Sequence, residues 1–136
     1  MDFYIENKIY YHDTDSGGVM YYGSYLEHLE EGRSGYCAYK GVDLLDLSRA
    51  GLIFPAVHLE IDYKNPARYG DVIRIFTDTD KIGNASISFI QEIRRGEISL
   101  AKAKTVWACV GIDMRPKRVP EDVKKALLSG RTESRP

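Results

Sequence analysis

Cysteine, histidine and tryptophan are scarce, at 2, 3 and 1 residues in a chain of 136. Cys37 and Cys109 lie far apart among apolar neighbours, without CxxC spacing. Buried thiols are therefore expected, and a disulfide framework or zinc ribbon is not. The three histidines, His12, His28 and His58, are too scattered to form a metal site on their own. A surplus of either charge is also missing, because 19 Lys and Arg face 20 Asp and Glu for a net charge of −1. Nucleic acid is therefore not an expected partner. No run approaches the roughly 18 apolar residues that cross a bilayer, so no membrane span is expected. The opening Met-Asp-Phe-Tyr-Ile-Glu-Asn-Lys has neither the basic start nor the apolar core of a secretory signal. A soluble, cytoplasmic protein is the expectation. What is present is ordinary globular composition, 43% hydrophobic and 29% charged. It suits one domain with one core and excludes a wholly disordered chain.

Periodicity divides the chain. Residues 2–11 read as a strand, with Phe3, Ile5, Ile9 and Tyr11 on one face. Asp13-Thr14-Asp15-Ser16-Gly17-Gly18 is made of turn formers. From Tyr21 the period becomes helical, and Tyr22, Tyr25, Leu26, Leu29, Arg33, Tyr36 and Cys37 form one stripe running to about Tyr39. Glu27, Glu30, Glu31 and Ser34 occupy the other face. Gly32 and Gly35 each cost about 1 kcal/mol relative to Ala in a helix, which implies close approach of another backbone. Leu44–Leu47 suits a short helix or an ordered loop. Val57, Leu59, Ile61 and Tyr63 alternate with polar residues as a half-buried strand. Residues 72–79 and 85–94 form two strands about Gly83-Asn84, and 98–112 a long strand. Its half Thr105–Ile112 is apolar on both faces and is expected near the sheet centre. Glu121–Leu128 reads as a short helix, and 129–136 as a flexible polar tail. One helix against one antiparallel sheet predicts an α+β two-layer domain over 1–128.

Few segments can carry chemistry. His28 with Glu27 and Glu31 could form a carboxylate–imidazole cluster, and the plainer reading is a solvated polar face. Asp13-x-Asp15 resembles the start of a calcium loop, but Gly17 and Ser24 stand where further ligands are required. No G-x-S-x-G and no P-loop ending occur, and Cys37 sits on the apolar stripe. What is left is Asp15, a carboxylate beside a helix start. Unpaired N–H groups there can stabilise an oxyanion, and the carboxylate can attack a carbonyl or activate water. An Asp-capped turn entering a helix gives the same pattern. The tyrosines Tyr21, Tyr22, Tyr25 and Tyr36 suit either simple core or an aromatic-lined pocket.

The segment Tyr11-His12-Asp13-Thr14-Asp15-Ser16-Gly17-Gly18-Val19-Met20-Tyr21-Tyr22-Gly23-Ser24-Tyr25-Leu26, with Glu30 and Arg33, resembles the signature of the hotdog-fold acyl-CoA thioesterases. The nearest branches are the 4-hydroxybenzoyl-CoA thioesterases and the bacterial thioesterases linked to the Tol–Pal system. A second block, Ile61–Asp71, is similar to the same family, and the likeness extends over roughly residues 3–113. The resemblance implies a hotdog: a long central helix wrapped by a five-stranded antiparallel sheet. It also implies a homo-oligomer, dimer or tetramer, with active sites between subunits, and hydrolysis of acyl-CoA without metal or organic cofactor. Asp15 matches the catalytic carboxylate, as nucleophile or general base, and Tyr22 the residue whose N–H polarises the thioester. Gly18 would leave room for the acyl group, with Val19 and Tyr21 beside it, and Asp13 would brace the loop. Glu30 matches an acidic helix position with a structural role. Tyr22 departs from the Tol–Pal-linked branch, which often carries His, and agrees with the hydroxybenzoyl branch. Gly83-Asn84-Ala85 lacks the basic residue often found there for the coenzyme A phosphates. Lys81, Arg68 or Lys117-Arg118 then become the cationic candidates, with Asn84 and Ser86 on the turn. A hotdog hydratase or dehydratase would need a histidine base at the helix start, which is absent. A non-catalytic acyl-CoA sensor would want an appended partner-binding segment.

Overall fold

The computed structural model of the protein describes residues 1–130. In chain order it contains β1 (Tyr4–Lys8), α1 (Tyr22–Tyr39), α2 (Leu44–Arg49), β2 (Ala56–Tyr63), β3 (Val72–Ile82), β4 (Ser86–Arg95), β5 (Ile98–Ala108) and α3 (Glu121–Leu128). The strands form one sheet in the order β1-β3-β4-β5-β2, with every pairing antiparallel. α1 packs against one face of the sheet, where it meets β1 and β3. This is the hotdog arrangement that the resemblance implies.

Local chemistry explains the elements. Ile87, Phe89 and Ile93 alternate along β4 and are almost fully buried, as a period of two requires when one face meets a core. The Asp43 carboxylate accepts from Asp46 N–H at 3.1 Å and starts α2, so the Leu-rich patch is helical. Gly96, at φ 59°, turns β4 into β5 in a conformation that glycine adopts at little cost. Two apolar clusters fill the interior. One gathers Ile9, Tyr25, Leu29, Ile73, Ile75 and Ile93 around the first half of α1. The other gathers Tyr36, Cys37, Ile87, Phe89, Trp107 and Leu127 around its second half. Between them lies a buried polar belt: Gln91 Nε2 donates to Leu29 O and Thr77 Oγ1, and Arg33 Nη1 donates to Gln91 Oε1 and Thr105 Oγ1. Cys37 and Cys109 are buried free thiols, and burial pushes the Cys37 thiol up to about 12. A thiol so desolvated is a poor nucleophile.

The helix glycines are explained by contact. A Cβ on Gly32 would lie 2.6 Å from Ile75 Cγ2, and one on Gly35 would lie 3.0 Å from Ile5 Cγ2. Gly32→Ala is therefore expected to destabilise the fold by about 1–3 kcal/mol, because overpacking outweighs the gain in helix propensity. Urea denaturation checks this, and an alanine variant at least as stable as wild type would contradict the close approach.

Several expectations are corrected. The first strand ends at Lys8, and Tyr11, expected inward, is 80% exposed. The cause is a 3-10 turn over Tyr11–Asp13, held by Tyr10 N–H donating to Asp13 Oδ2 at 2.9 Å. Tyr22 and Leu26 belong to the helical stripe by spacing yet are exposed, because the sheet covers only the narrower band of Tyr25, Leu29, Gly32 and Tyr36. β2 is not half-buried: Val57, Leu59 and Tyr63 are all exposed, since β2 is an edge strand whose one neighbour is β5. The last strand stops at Ala108, and β5 lies next to the edge strand, with β4 at the centre. Ile112 is 82% exposed beyond it. Among the described residues no helix is long and apolar enough to cross a membrane. Of the expected tail, Ser129 accepts from Lys40 Nζ through its carbonyl at 2.6 Å. Residues 131–136, to which the expectation of flexibility also applied, lie outside the described residues.

Candidate active site

Asp15 begins a tight loop that doubles back before α1. Its N–H donates to Val19 O at 3.0 Å and its carbonyl accepts from Gly18 N–H at 3.1 Å. Thr14 and Met20 form an isolated β-bridge. The Asp15 carboxylate accepts from Gly17 N–H at 2.8 Å through Oδ1, an Asx turn that fixes the side chain by its own backbone. Asp15 is exposed. Gly18 sits at φ 79°, and a Cβ there would meet nothing within 4 Å. That conformation favours glycine and leaves the space above the loop open.

The helix start is presented to the same space. Tyr21 is the N-cap residue of α1 and makes no side-chain capping hydrogen bond. The first N–H groups of a helix have no intrahelical acceptor, and the dipole makes this end a site for developing negative charge. Tyr21 N–H donates to Asp13 O at 2.8 Å, which ties the helix start to the Asp15 loop.

Asp13 is the anchor of that tie, and it is 2% exposed. Its Oδ2 accepts from Tyr10 N–H, and its Oδ1 lies 3.3 Å from His28 Nε2. Asn7 Nδ2 donates to Glu31 Oε1 at 2.7 Å and contacts His28 Nδ1 at 2.9 Å. The Asn7 donor places the imidazole proton on Nε2, toward Asp13. His28 is thus buried, 7% exposed, and the expected solvated face is corrected at this residue. Its partners come from β1 and from the loop, beyond the reach of helical spacing. Among the described residues no group of His, Cys, Asp and Glu is arranged to hold a metal ion.

The second sequence block closes over the first. Met20 N–H donates to Ala67 O at 2.7 Å, Val19 forms a bridge with Arg68, and Asp71 accepts from both Arg68 N–H and Arg95 Nη1. Tyr63 packs on Tyr22 and Tyr25 at ring distances of 5.2 and 4.9 Å. Burial pushes the Tyr25 and Tyr63 phenols up. Asp15, Gly18, Val19, Tyr21 and Tyr22 therefore share one neighbourhood.

Lys81, Asn84 and Ser86 do not join it within one chain. They lie on the β3–β4 hairpin, whose Ile82 and Ile87 pack with the second half of α1. α1 has 18 residues and is about 27 Å long, so this hairpin sits at the opposite end from Tyr22. There Asn84 Oδ1 accepts from Arg118 Nε at 3.2 Å, and the two line a cleft with Lys124. Arg33 was visible in the sequence as a charge on an apolar stripe. Its acceptors Gln91 and Thr105 gave no local signal.

Comparison with known proteins points to one family. The family model described as the thioesterase-like superfamily matches residues 10–127. The acyl-CoA thioesterase YbgC of Haemophilus influenzae is 34% identical over 122 residues, covering 88% of this chain and 90% of its own. The 1,4-dihydroxy-2-naphthoyl-CoA hydrolase of Nostoc punctiforme is 26% identical, covering 98% of this chain and 92% of its own. The crystal structure of a probable thioesterase from Bartonella henselae superposes with a TM-score of 0.83 at 30% identity, covering 87% of this chain and 98% of that one.

Proposed function

The chain belongs to the thioesterase-like superfamily, and from that membership we propose that Asp15 and the start of α1 form the centre of an acyl-CoA thioesterase. The protein hydrolyses thioesters, releasing the free acid and coenzyme A. The observation that carries the assignment is the exposed Asp15 carboxylate, held by Gly17 N–H beside an uncapped helix start. The thioester carbonyl oxygen accepts from Tyr22 N–H, and charge gathers on it as the carbon is attacked. Asp15 either attacks the carbon itself, giving an acyl anhydride that water then cleaves, or takes a proton from the attacking water. In both routes the C–S bond breaks and the thiolate takes up a proton; the oxygen of the new acid comes from water directly, or from Asp15 when water opens the anhydride at the Asp15 carbonyl and restores its carboxylate. Gly18 leaves the acyl group room, with Val19 and Tyr21 at its sides.

The unit of function is a homo-oligomer built from domains spanning residues 1–128. Supporting this, β2 is a sheet edge with Val57, Leu59 and Tyr63 exposed, and such edges are normally covered or paired. Antiparallel pairing of two β2 strands turns one chain end for end relative to the other. The β3–β4 hairpin of one subunit then lies at the same end as Asp15 of its partner. Lys81, Asn84 and Ser86, with Arg118 and Lys124, accordingly take the coenzyme A phosphates across the interface. A cytoplasmic location fits a coenzyme A ester as substrate.

The test is thiol release from a panel of short-chain, long-chain and aromatic acyl-CoAs. Release from at least one is the expected result. Binding of the esters without release from any would replace the hydrolase with an acyl-CoA sensor.

A further inference from the structure

Asp13 grips α1 at two points. Its carbonyl accepts from Tyr21 N–H at 2.8 Å at the helix start. Its carboxylate Oδ1 lies 3.3 Å from Nε2 of His28, which stands seven residues after Tyr21. Seven residues of helix span about 10 Å. Helical side chains lean back toward the N-terminus, which lets the His28 ring cover part of that span and meet the loop. A hydrogen bond at Tyr21 alone would leave the loop free to pivot about the helix start. The second contact fixes the angle, because the helix between the two points is a rigid body.

The loop carries that angle to Asp15. Thr14 N–H donates to Tyr11 O, and Asp15 N–H donates to Val19 O. Thr14 also forms a bridge with Met20. Asp13, Thr14 and Asp15 are therefore held as one piece. The Tyr22 N–H belongs to the helix side of the clamp and the Asp15 carboxylate to the loop side, so the clamp sets one against the other.

His28 is held in the state that closes the clamp. It is buried together with Asp13, and its Nδ1 lies 2.9 Å from Asn7 Nδ2. The same amide nitrogen donates to Glu31 Oε1 at 2.7 Å. With Nδ1 used as an acceptor, the ring proton stands on Nε2 and points at Asp13. Asn7 of β1 thereby selects the tautomer. Both ring nitrogens are used, and neither is left to act on a substrate.

We propose that His28 is a positioning residue for the hydrolysis, acting through Asp13 to align the Asp15 carboxylate with the carbonyl polarised by Tyr22 N–H. The proposal rests on the Asp15 reading given above. Misplacing a reacting group by about 1 Å costs up to about a hundredfold in rate. That loss falls on kcat, since the body of the coenzyme A ester is bound as before.

Three variants test it: His28→Phe, which keeps a flat ring without a donor, His28→Gln, which keeps an N–H donor at about the reach of Nε2, and Asn7→Leu, which leaves the ring but lets the proton settle on either nitrogen. kcat and KM are measured with an ester that wild type hydrolyses, well below the melting temperature of each protein. His28→Phe is expected to lower kcat by about ten- to a hundredfold, with KM within about threefold of wild type. His28→Gln recovers most of that loss whatever its melting temperature, and Asn7→Leu lies between. A purely structural role would shift the melting temperatures and leave kcat of the folded variants at the wild-type value, and that result overturns the proposal. A loss carried by KM overturns it too, as does a folded His28→Gln no faster than His28→Phe. If His28→Phe does not fold, Asn7→Leu decides: a lower kcat at constant KM supports the clamp, and a wild-type kcat overturns it. No release by wild type from any ester, or an undiminished kcat in Asp15→Asn, is instead the failure of the reading beneath it.

Discussion

Asp15→Asn is expected to lower kcat for thiol release by about a thousandfold or more while leaving the fold intact. The amide keeps the shape of the carboxylate, and its oxygen can still accept from Gly17 N–H, as Oδ1 does at 2.8 Å. What it loses is the charge, and with it both the capacity to attack a carbonyl and the capacity to hold a proton from water. Each role is worth orders of magnitude in rate. Because Asp15 is exposed, its replacement strands no buried group, so the melting temperature should stay near that of wild type. A KM close to wild type would place the loss in the chemical step and not in binding. Label found in the Asp15 side chain after a single turnover in 18O-labelled water identifies direct attack, since the general-base route leaves the Asp15 oxygens in place. An Asn variant that retained wild-type kcat would remove Asp15 from the reaction.

Asp13→Ala is expected to be the most damaging substitution for stability near the site, at about 3 kcal/mol. The buried carboxylate accepts from Tyr10 N–H and faces His28 Nε2 at 3.3 Å, and alanine leaves the buried His28 and the half-buried Tyr10 N–H without this acceptor. Thermal melting should fall by roughly 10 °C. The same substitution loosens the chain between Tyr10 and Tyr21, whose N–H is held by Asp13 O. Turnover should therefore fall even at temperatures where the variant is folded. Asp13→Asn, which can still accept from Tyr10 N–H, should lie between alanine and wild type in both readouts. Wild-type melting of the alanine variant would mean that the loop is held by its backbone contacts alone.

Elements whose identity depends on local period were legible in the sequence. α1, α3 and β4 fall within a residue or two of their expected bounds because spacing and terminators are properties of the segment itself. The exposure of β2 was not legible. Its alternation of Val57, Leu59, Ile61 and Tyr63 is that of a half-buried strand, and what covers such a face lies outside the segment. Tyr11 was misplaced for a similar reason, since the hydrogen bond from Tyr10 to Asp13 turned the chain before the alternation ended. The neighbourhood of Asp15 was legible because a carboxylate, two glycines and a helix start occur within a few residues of sequence. His28 was misread because its neighbours in sequence are glutamates, whereas its partners in space are Asn7 and Asp13. Arg33 announced itself as a charge on an apolar stripe, but nothing in the spacing of α1 named Gln91 or Thr105 as its acceptors.

Gly32 has a consequence beyond stability. Its bare backbone sits against Ile75 as a notch sits over a tooth. Rotating α1 by one residue would bring Glu31 or Arg33 to that point and jam it, and sliding it by four residues would bring His28 or Tyr36. The helix therefore has one seating along its own axis. Tyr22 lies ten residues earlier, about 15 Å away, so the aim of its N–H is set by an alignment key far from the chemistry. The loop at the front can stay open to substrate because the bearing that fixes the helix is at its middle.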